Sequence, residues 1–154
     1  MFIDFKDILI TSSFGVNSGF LLHLIKMAKP EAIIYFIDTT YHFKETLMFR
    51  DQLTNFLDLK VISLKPEEWK NKFTRRDQSW KFDPDTCCSI NKVEPLEAIK
   101  ENHQIWISGL RAYQSGHRNS LNVFESFGNI TKFHPIIDVS EEYVKTYMDI
   151  HNLP

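Results

Sequence analysis

An α/β fold with a mostly parallel sheet and helices on both faces is predicted by three features of the sequence. Runs that read as strands alternate with runs that read as helices, an order that implies parallel strands joined by right-handed crossovers. The run Ala32–Asp38 (AIIYFID) is β-branched and aromatic, as in a strand covered on both faces. The length of 154 residues suits one domain over 1–154, and 13 Phe, 5 Tyr and 3 Trp supply the bulk for its core.

In chain order, Asp7–Ser12 (DILITS) is the first strand, and the Ser/Gly-rich stretch Ser12–Gly19 is the turn that follows it. Phe20–Ala28 has helical length, and Pro30 closes it from two residues beyond. After the strand Ala32–Asp38, Phe43–Leu57 places Leu47, Arg50, Leu53 and Leu57 at helical spacing, with Phe49 and Phe56 near the same side. Leu59–Leu64 is the third strand, and Pro66–Phe73 is a short helix with proline in its first turn. Thr74–Ile90 lacks periodicity and carries Asp83-Pro84-Asp85, so a long loop is expected there, of the kind that is usually functional or mobile. Pro95–Asn102 reads as a helix and Ile105–Leu110 as the fourth strand. Val123–Phe127 and Ile130–Phe133, split by Gly128-Asn129, read as a hairpin. Ser140–His151 is the closing helix, capped by Ser140, with Glu141 and Glu142 in its first turn.

Composition narrows the function classes. Against 18 Lys+Arg stand 20 Asp+Glu, so the net charge of −2 argues against a nucleic acid held by bulk electrostatics, while a local basic pocket stays open. Two cysteines cannot staple a secreted scaffold, and the start MFIDFKDILITSSFG lacks the layout of a signal peptide. No run approaches the roughly 20 apolar residues of a membrane span. A soluble, cytoplasmic chain with no membrane or nucleic-acid partner is expected.

Ligands of parallel sheets bind beyond the strand carboxyl ends, so Ser12–Asn17, Asp38–Phe43 and Gly109–Arg118 are the loops where chemistry is expected. In Ser12-Ser13-Phe14-Gly15-Val16-Asn17-Ser18-Gly19, small residues allow a tight turn. Free N–H groups at the helix start, with the hydroxyls of Ser12, Ser13 and Ser18, can hold an anion. An ordinary β–α turn capped by Asn17 or Ser18 would read the same way. The stretch is neither a P-loop, having no Lys, nor a GxGxxG turn. Asp38-Thr39-Thr40 ends the second strand, where a carboxylate can accept from a ribose hydroxyl, hold a metal, or cap the next helix. Arg111, Gln114, Ser115 and Arg118 share one face if their stretch is helical, which suits phosphate or sulfate recognition; a solvated basic face is the alternative. His117 stands beside them. Cys87-Cys88 precedes Lys92, and the ordinary reading of the pair is two small buried side chains. Two thiolates cannot complete a four-ligand zinc or iron–sulfur site. His23, His42, His103, His117, His134 and His151 show no close ligand spacing, and His23 reads as a core histidine.

Together these stretches resemble the sulfonucleotide reductases, the assimilatory adenylylsulfate and phosphoadenylylsulfate reductases. The resemblance runs through Ser12–Gly15, Ile37–Thr46, Cys87-Cys88, Lys92-Val93-Glu94-Pro95, Gly109-Leu110-Arg111, Gln114-Ser115, Arg118 and Phe133–Asp138, in family order over nearly the whole chain. It implies an adenine nucleotide alpha hydrolase-like fold. It implies that Ser12, Ser13, Phe14 and Gly15, with Asp38, Thr39, Arg111, Gln114, Ser115 and Arg118, form the substrate site, and that Lys92 lies near the sulfate as a catalytic group. Paired cysteines before Lys-Val-Glu-Pro are similar to the [4Fe–4S] type, which usually reduces adenylylsulfate. Cys87 and Cys88 would then be two of four cluster ligands. The turn Phe14–Ser18 looks closer to the phosphoadenylylsulfate type, so both nucleotides stay open as substrates.

In the family, a thiolate attacks sulfur to give an enzyme S-sulfocysteine, and thioredoxin or glutaredoxin then releases sulfite. The cysteine that does this lies in a tail after the closing helix, whereas this chain ends at Pro154, so a core truncated before the nucleophile is expected. Three accounts follow: a truncated reductase core, a non-catalytic adenine-nucleotide-binding module, and an ATP-pyrophosphatase-type adenylating enzyme. For the second, a homodimer giving two cysteines from each chain would complete a four-thiolate site. The third has a Ser-Gly-Gly-x-Asp-Ser turn, from which Phe14 and Asn17 depart.

Overall fold

The computed structural model describes residues 8–107, 109 and 123–154. Its elements are β1 (Ile8–Ile10), α1 (Ser18–Ala28), β2 (Ile33–Ile37), α2 (Lys44–Leu57), β3 (Lys60–Leu64), α3 (Glu68–Arg76), α4 (Ser79–Phe82) and α5 (Pro84–Cys88). There follow a π-helical turn (Ser89–Val93), α6 (Glu94–Lys100), β4 (Ile105–Ile107), β5 (Phe124–Phe127), β6 (Ile130–Phe133) and α7 (Glu141–Ile150).

Two hydrogen-bonded sheets, β2-β3 and β1-β4-β6-β5, meet at β1 and β2 to give the strand order β3-β2-β1-β4-β6-β5. β2 pairs with β3, β1 with β4, and β4 with β6, all in parallel, and only β5 runs antiparallel, to β6. Among the described residues β1 and β2 meet at one bridge, Thr11 to Tyr35, with the Ser12 N–H donating to the Tyr35 carbonyl at 3.0 Å. Strand order reverses between β1 and β4, which sets the topological switch point beside the turn after β1.

Alternation along the strands sends Ile10, Ile34, Phe36 and Ile107 into the core with Phe20, Leu22 and Ile25 of α1, Leu53 and Leu57 of α2 and Val144 of α7. Trp106 points to the opposite face, where Lys100 of α6 and Lys132 of β6 lie over its ring. The hairpin is as expected, with Gly128 taking the left-handed backbone at its turn (φ 64°). Ser140 caps α7 by accepting from the Tyr143 N–H at 3.1 Å.

Four expectations change. The run Thr74–Ile90 is helical, not a loop. Its short helices bury polar groups, Thr74 and Ser79, and lean on the buried Asn91 just beyond the run, so no apolar period marks them. Asp83-Pro84 is a helix start: Pro84 is the first residue of α5, and the Asp83 carboxylate accepts from the Thr86 N–H at 3.3 Å and the Thr86 hydroxyl at 2.8 Å. Pro66 lies outside α3, whose N-cap is Glu67, because the helix begins two residues later than its sequence suggests. β2 is fully covered on one face only, with Ile34 and Phe36 buried while Ile33 is exposed; Phe56 likewise turns outward, 52% exposed. Among the described residues, no helix is long and apolar enough to cross a membrane.

Candidate functional site

The turn after β1 is built around a buried aromatic ring. Phe14 sits in the left-handed region (φ 53°), with only 2% of its surface exposed. A residue with a Cβ adopts that backbone at a cost, here offset by packing on Phe36 and by the Phe14 N–H, which donates to Ser12 Oγ at 3.1 Å. Driving Phe14 inward leaves its neighbours outward. The N–H groups of Ser13, Gly15, Val16 and Asn17 donate no hydrogen bond among the described residues. Asn17 is the N-cap of α1 by position, but its side chain makes no cap bond, and Ser18 Oγ donates instead to the Gly15 carbonyl at 2.7 Å. The capping account of this turn therefore fails, and a row of amides at a helix N-terminus stays open to an anion. A hollow of about 630 Å³ borders it, lined by Gly15, Val16 and Asn17, by Glu45 and Thr46 of α2, and by Lys145 and Asp149 of α7.

The loop after β2 is shaped by its own side chains. Asp38 Oδ1 accepts from the Thr40 N–H at 2.9 Å, and Thr39 Oγ1 accepts from the Tyr41 N–H at 3.2 Å. The Asp38 N–H extends the β2–β3 ladder by donating to the Leu64 carbonyl at 2.8 Å. Asp38 thus closes its own turn and does not cap α2, whose N-cap is Phe43. Its Oδ2 has no partner among the described residues, so a carboxylate oxygen is open at the carboxyl end of β2. Thr40 takes φ 68°, and the Arg75 guanidinium holds it by donating to its carbonyl and, at 2.8 Å, to its hydroxyl. The same guanidinium lies over the Tyr41 ring, 4.4 Å from its centre.

Asn71 and Thr74 of α3 tie this loop to the segment that carries the cysteines, while Arg75 holds the loop to α3. Asn91, buried in the π-helical turn, is the link between the two, and it was not legible from any motif. Cys87 is buried and Cys88 exposed, while Lys92, next to Asn91, is exposed. Among the described residues, no group of three or more His, Cys, Asp or Glu is placed to hold a metal ion, so the pair offers two thiolates of the four a cluster takes. Arg111, Gln114, Ser115 and Arg118, with His117, lie outside the described residues. Of the expected site, the structure therefore ties the loop after β2 to the cysteine segment, and the β1–β2 bridge sets the first turn next to β2.

Residues 7–154 match the pattern of the phosphoadenosine phosphosulfate reductase domain. The chain belongs to this family. An adenosine 5'-phosphosulfate reductase of Staphylococcus epidermidis is 39% identical over 157 residues, with 97% of this chain and 63% of that protein covered. One from Bacillus cereus is 36% identical, with 97% and 66% covered. The chain thus spans 63% to 66% of the length of these curated relatives. Among solved structures, the phosphoadenylyl-sulfate reductase of Candida auris, in a phosphate complex, superimposes with a TM-score of 0.78 at 26% identity, over 96% of this chain and 74% of that one. The NH3-dependent NAD synthetase of Campylobacter jejuni, at 14% identity and a TM-score of 0.63 over 96% of this chain and 65% of its own, shares the fold alone. That fold is the adenine nucleotide alpha hydrolase-like one.

Proposed function

We propose that the chain binds an adenosine sulfonucleotide, adenylylsulfate or its 3'-phosphorylated form, and is the nucleotide-binding part of a reductase that yields sulfite. The observation that carries this reading is the set of unbonded amides of Ser13, Gly15, Val16 and Asn17 after β1, with the open Asp38 carboxylate at the end of the neighbouring β2, in a chain of this family. The amides and the Ser12 and Ser13 hydroxyls would take the phosphate, and Asp38 a ribose hydroxyl. Arg111 and Arg118 would grip phosphate and sulfate through paired guanidinium donors, and Gln114 and Ser115 would add neutral ones. Lys92, exposed beside the Cys87 segment, would neutralise the sulfate.

In this reaction a cysteine thiolate forms a bond to the sulfate sulfur as the sulfur–oxygen bond to phosphate breaks, releasing the nucleoside phosphate. A dithiol reductant, thioredoxin or glutaredoxin, then forms a disulfide and releases sulfite. Cys87 and Cys88 are not assigned the nucleophilic role. They would supply two of the four thiolates that a [4Fe–4S] cluster takes.

Calorimetric titration with both sulfonucleotides and with ATP tests the reading, alongside an anaerobic visible spectrum. Sulfonucleotide binding is expected, weakened by about 1.5–3 kcal/mol in Arg111→Ala, the range for a charge-assisted hydrogen bond. Absence of binding by either sulfonucleotide would remove the proposal.

A further inference from the structure

We propose that Asn91 is a positioning residue: with Asn71 it forms a side-chain relay that passes the conformation of the loop Asp38–Tyr41 to the Cys87 thiol. The proposal rests on the reading of that loop as part of the nucleotide site.

The relay can be followed atom by atom. Asn71 Nδ2 donates to Thr40 Oγ1 at 2.9 Å and to Asn91 Oδ1 at 2.8 Å, which uses both of its hydrogens. Asn91 Nδ2 donates to the Cys87 carbonyl at 2.9 Å and to Thr74 Oγ1 at 3.2 Å, and it lies 3.4 Å from Cys87 Sγ. The direction is fixed, since turning over either amide would set carbonyl oxygen against carbonyl oxygen or leave acceptors facing each other. Thr74 Oγ1 spends its one hydrogen on the Asn71 carbonyl at 2.7 Å, so the Tyr41 hydroxyl, 3.0 Å away, is the donor to it. The loop is thus connected twice to Asn91, through Thr40–Asn71 and through Tyr41–Thr74.

Burial gives these bonds their weight. Asn91 is 2% exposed and Thr74 fully buried, so a broken bond cannot be replaced by water without opening the segment. The segment itself is wound as a π-turn, with the Glu94 N–H reaching back to the Ser89 carbonyl, a geometry that packing must hold in place. A shift of Thr40 therefore moves Asn71, and Asn71 moves the amide that covers the Cys87 thiol.

Trapping of Cys87 by N-ethylmaleimide reads this directly, in the full chain with reductant and chelator and with the exposed Cys88 as internal reference by mass spectrometry. Asn91→Ala is expected to speed Cys87 modification about tenfold relative to Cys88, as loss of a buried hydrogen-bonded group does to local opening. Thr40→Val, which keeps the shape but removes the acceptor for Asn71, is expected to speed it about threefold although Thr40 does not touch Cys87. Thr40→Ser should restore the original rate, which a purely steric role would not produce. Since Asn91→Ala removes a buried anchor and can unfold the segment, Asn71→Ala at a half-buried position is the second variant, with the same acceleration expected at an unchanged melting curve. An unchanged Cys87 rate in both Thr40→Val and Asn71→Ala would overturn the relay. Adenylylsulfate is the ligand arm: it should slow Cys87 modification in the original chain and not in Asn71→Ala. If calorimetry shows that adenylylsulfate does not bind, the nucleotide reading falls, and the ligand-free variants still decide the relay.

Discussion

The ring of Phe14 meets that of Phe36 edge-on, with centroids 5.6 Å apart and planes at 75°, and this contact pins the first turn to the core. It joins the two strands whose ends form the candidate site, because Phe14 follows β1 and Phe36 belongs to β2. Phe14→Ala leaves a left-handed backbone without its anchor and a cavity beneath it. A loss of about 3–5 kcal/mol is expected, the usual range for a buried phenylalanine, read from the midpoint of denaturant unfolding at constant slope.

Gly15 separates folding from binding. Among the described residues a Cβ placed there would meet only Ser13 Oγ, at 3.9 Å, so the backbone has room for it. Gly15→Ala should change stability by no more than about 0.5 kcal/mol, as surface substitutions do. Its methyl group would stand among the open amides, and sulfonucleotide affinity measured by calorimetry should fall. Equal affinity in this variant would place the anion elsewhere.

Asp38 has one oxygen engaged and one open. Asp38→Asn keeps an oxygen for the Thr40 N–H, whereas Asp38→Ala removes it and should cost about 1 kcal/mol of stability. Both should weaken nucleotide binding, since both lose the carboxylate. Thermal melts and titrations of the pair separate the two roles: a stability difference between them with equal loss of affinity is the expected pattern.

The contact between α1 and α7 should respond to acid. Burial, and then the neighbouring His151, lower the pKa of His23 below its ordinary 6.5. Its ring packs 4.7 Å from that of His151, and Nδ1 lies 2.7 Å from the Tyr147 hydroxyl. A lowered histidine pKa means that the folded state prefers the neutral ring. This contribution is complete above pH 6.5 and is lost as pH falls through the lowered value. Calorimetric melting temperatures should therefore drop on acidification, with a shallower slope in His151→Gln. Parallel slopes in the two proteins would remove His151 as a cause.

The strand–helix order, the hairpin at Gly128-Asn129 and the capped closing helix were legible because each depends on local chemistry: alternating burial, a left-handed glycine, a serine hydroxyl. The turn around Phe14 was legible as a candidate site, but not the reason its amides are open, which lies in a tertiary contact with Phe36. Thr74–Ile90 was misread because its helices turn Trp80 and Phe82 outward and bury Thr74 and Ser79, the reverse of the pattern that marks a helix. Asn71 and Asn91 carry no sequence signal at all, since a buried amide is recognisable only by its partners.

The single rung between Thr11 and Tyr35 gives the sheet a seam. The first turn lies on one side of it and Asp38 on the other, so a ligand grasping both would act as a splint across the weakest backbone junction among the described residues. Its binding free energy would add to the cohesion of the two halves, and the melting temperature would climb with nucleotide concentration by mass action.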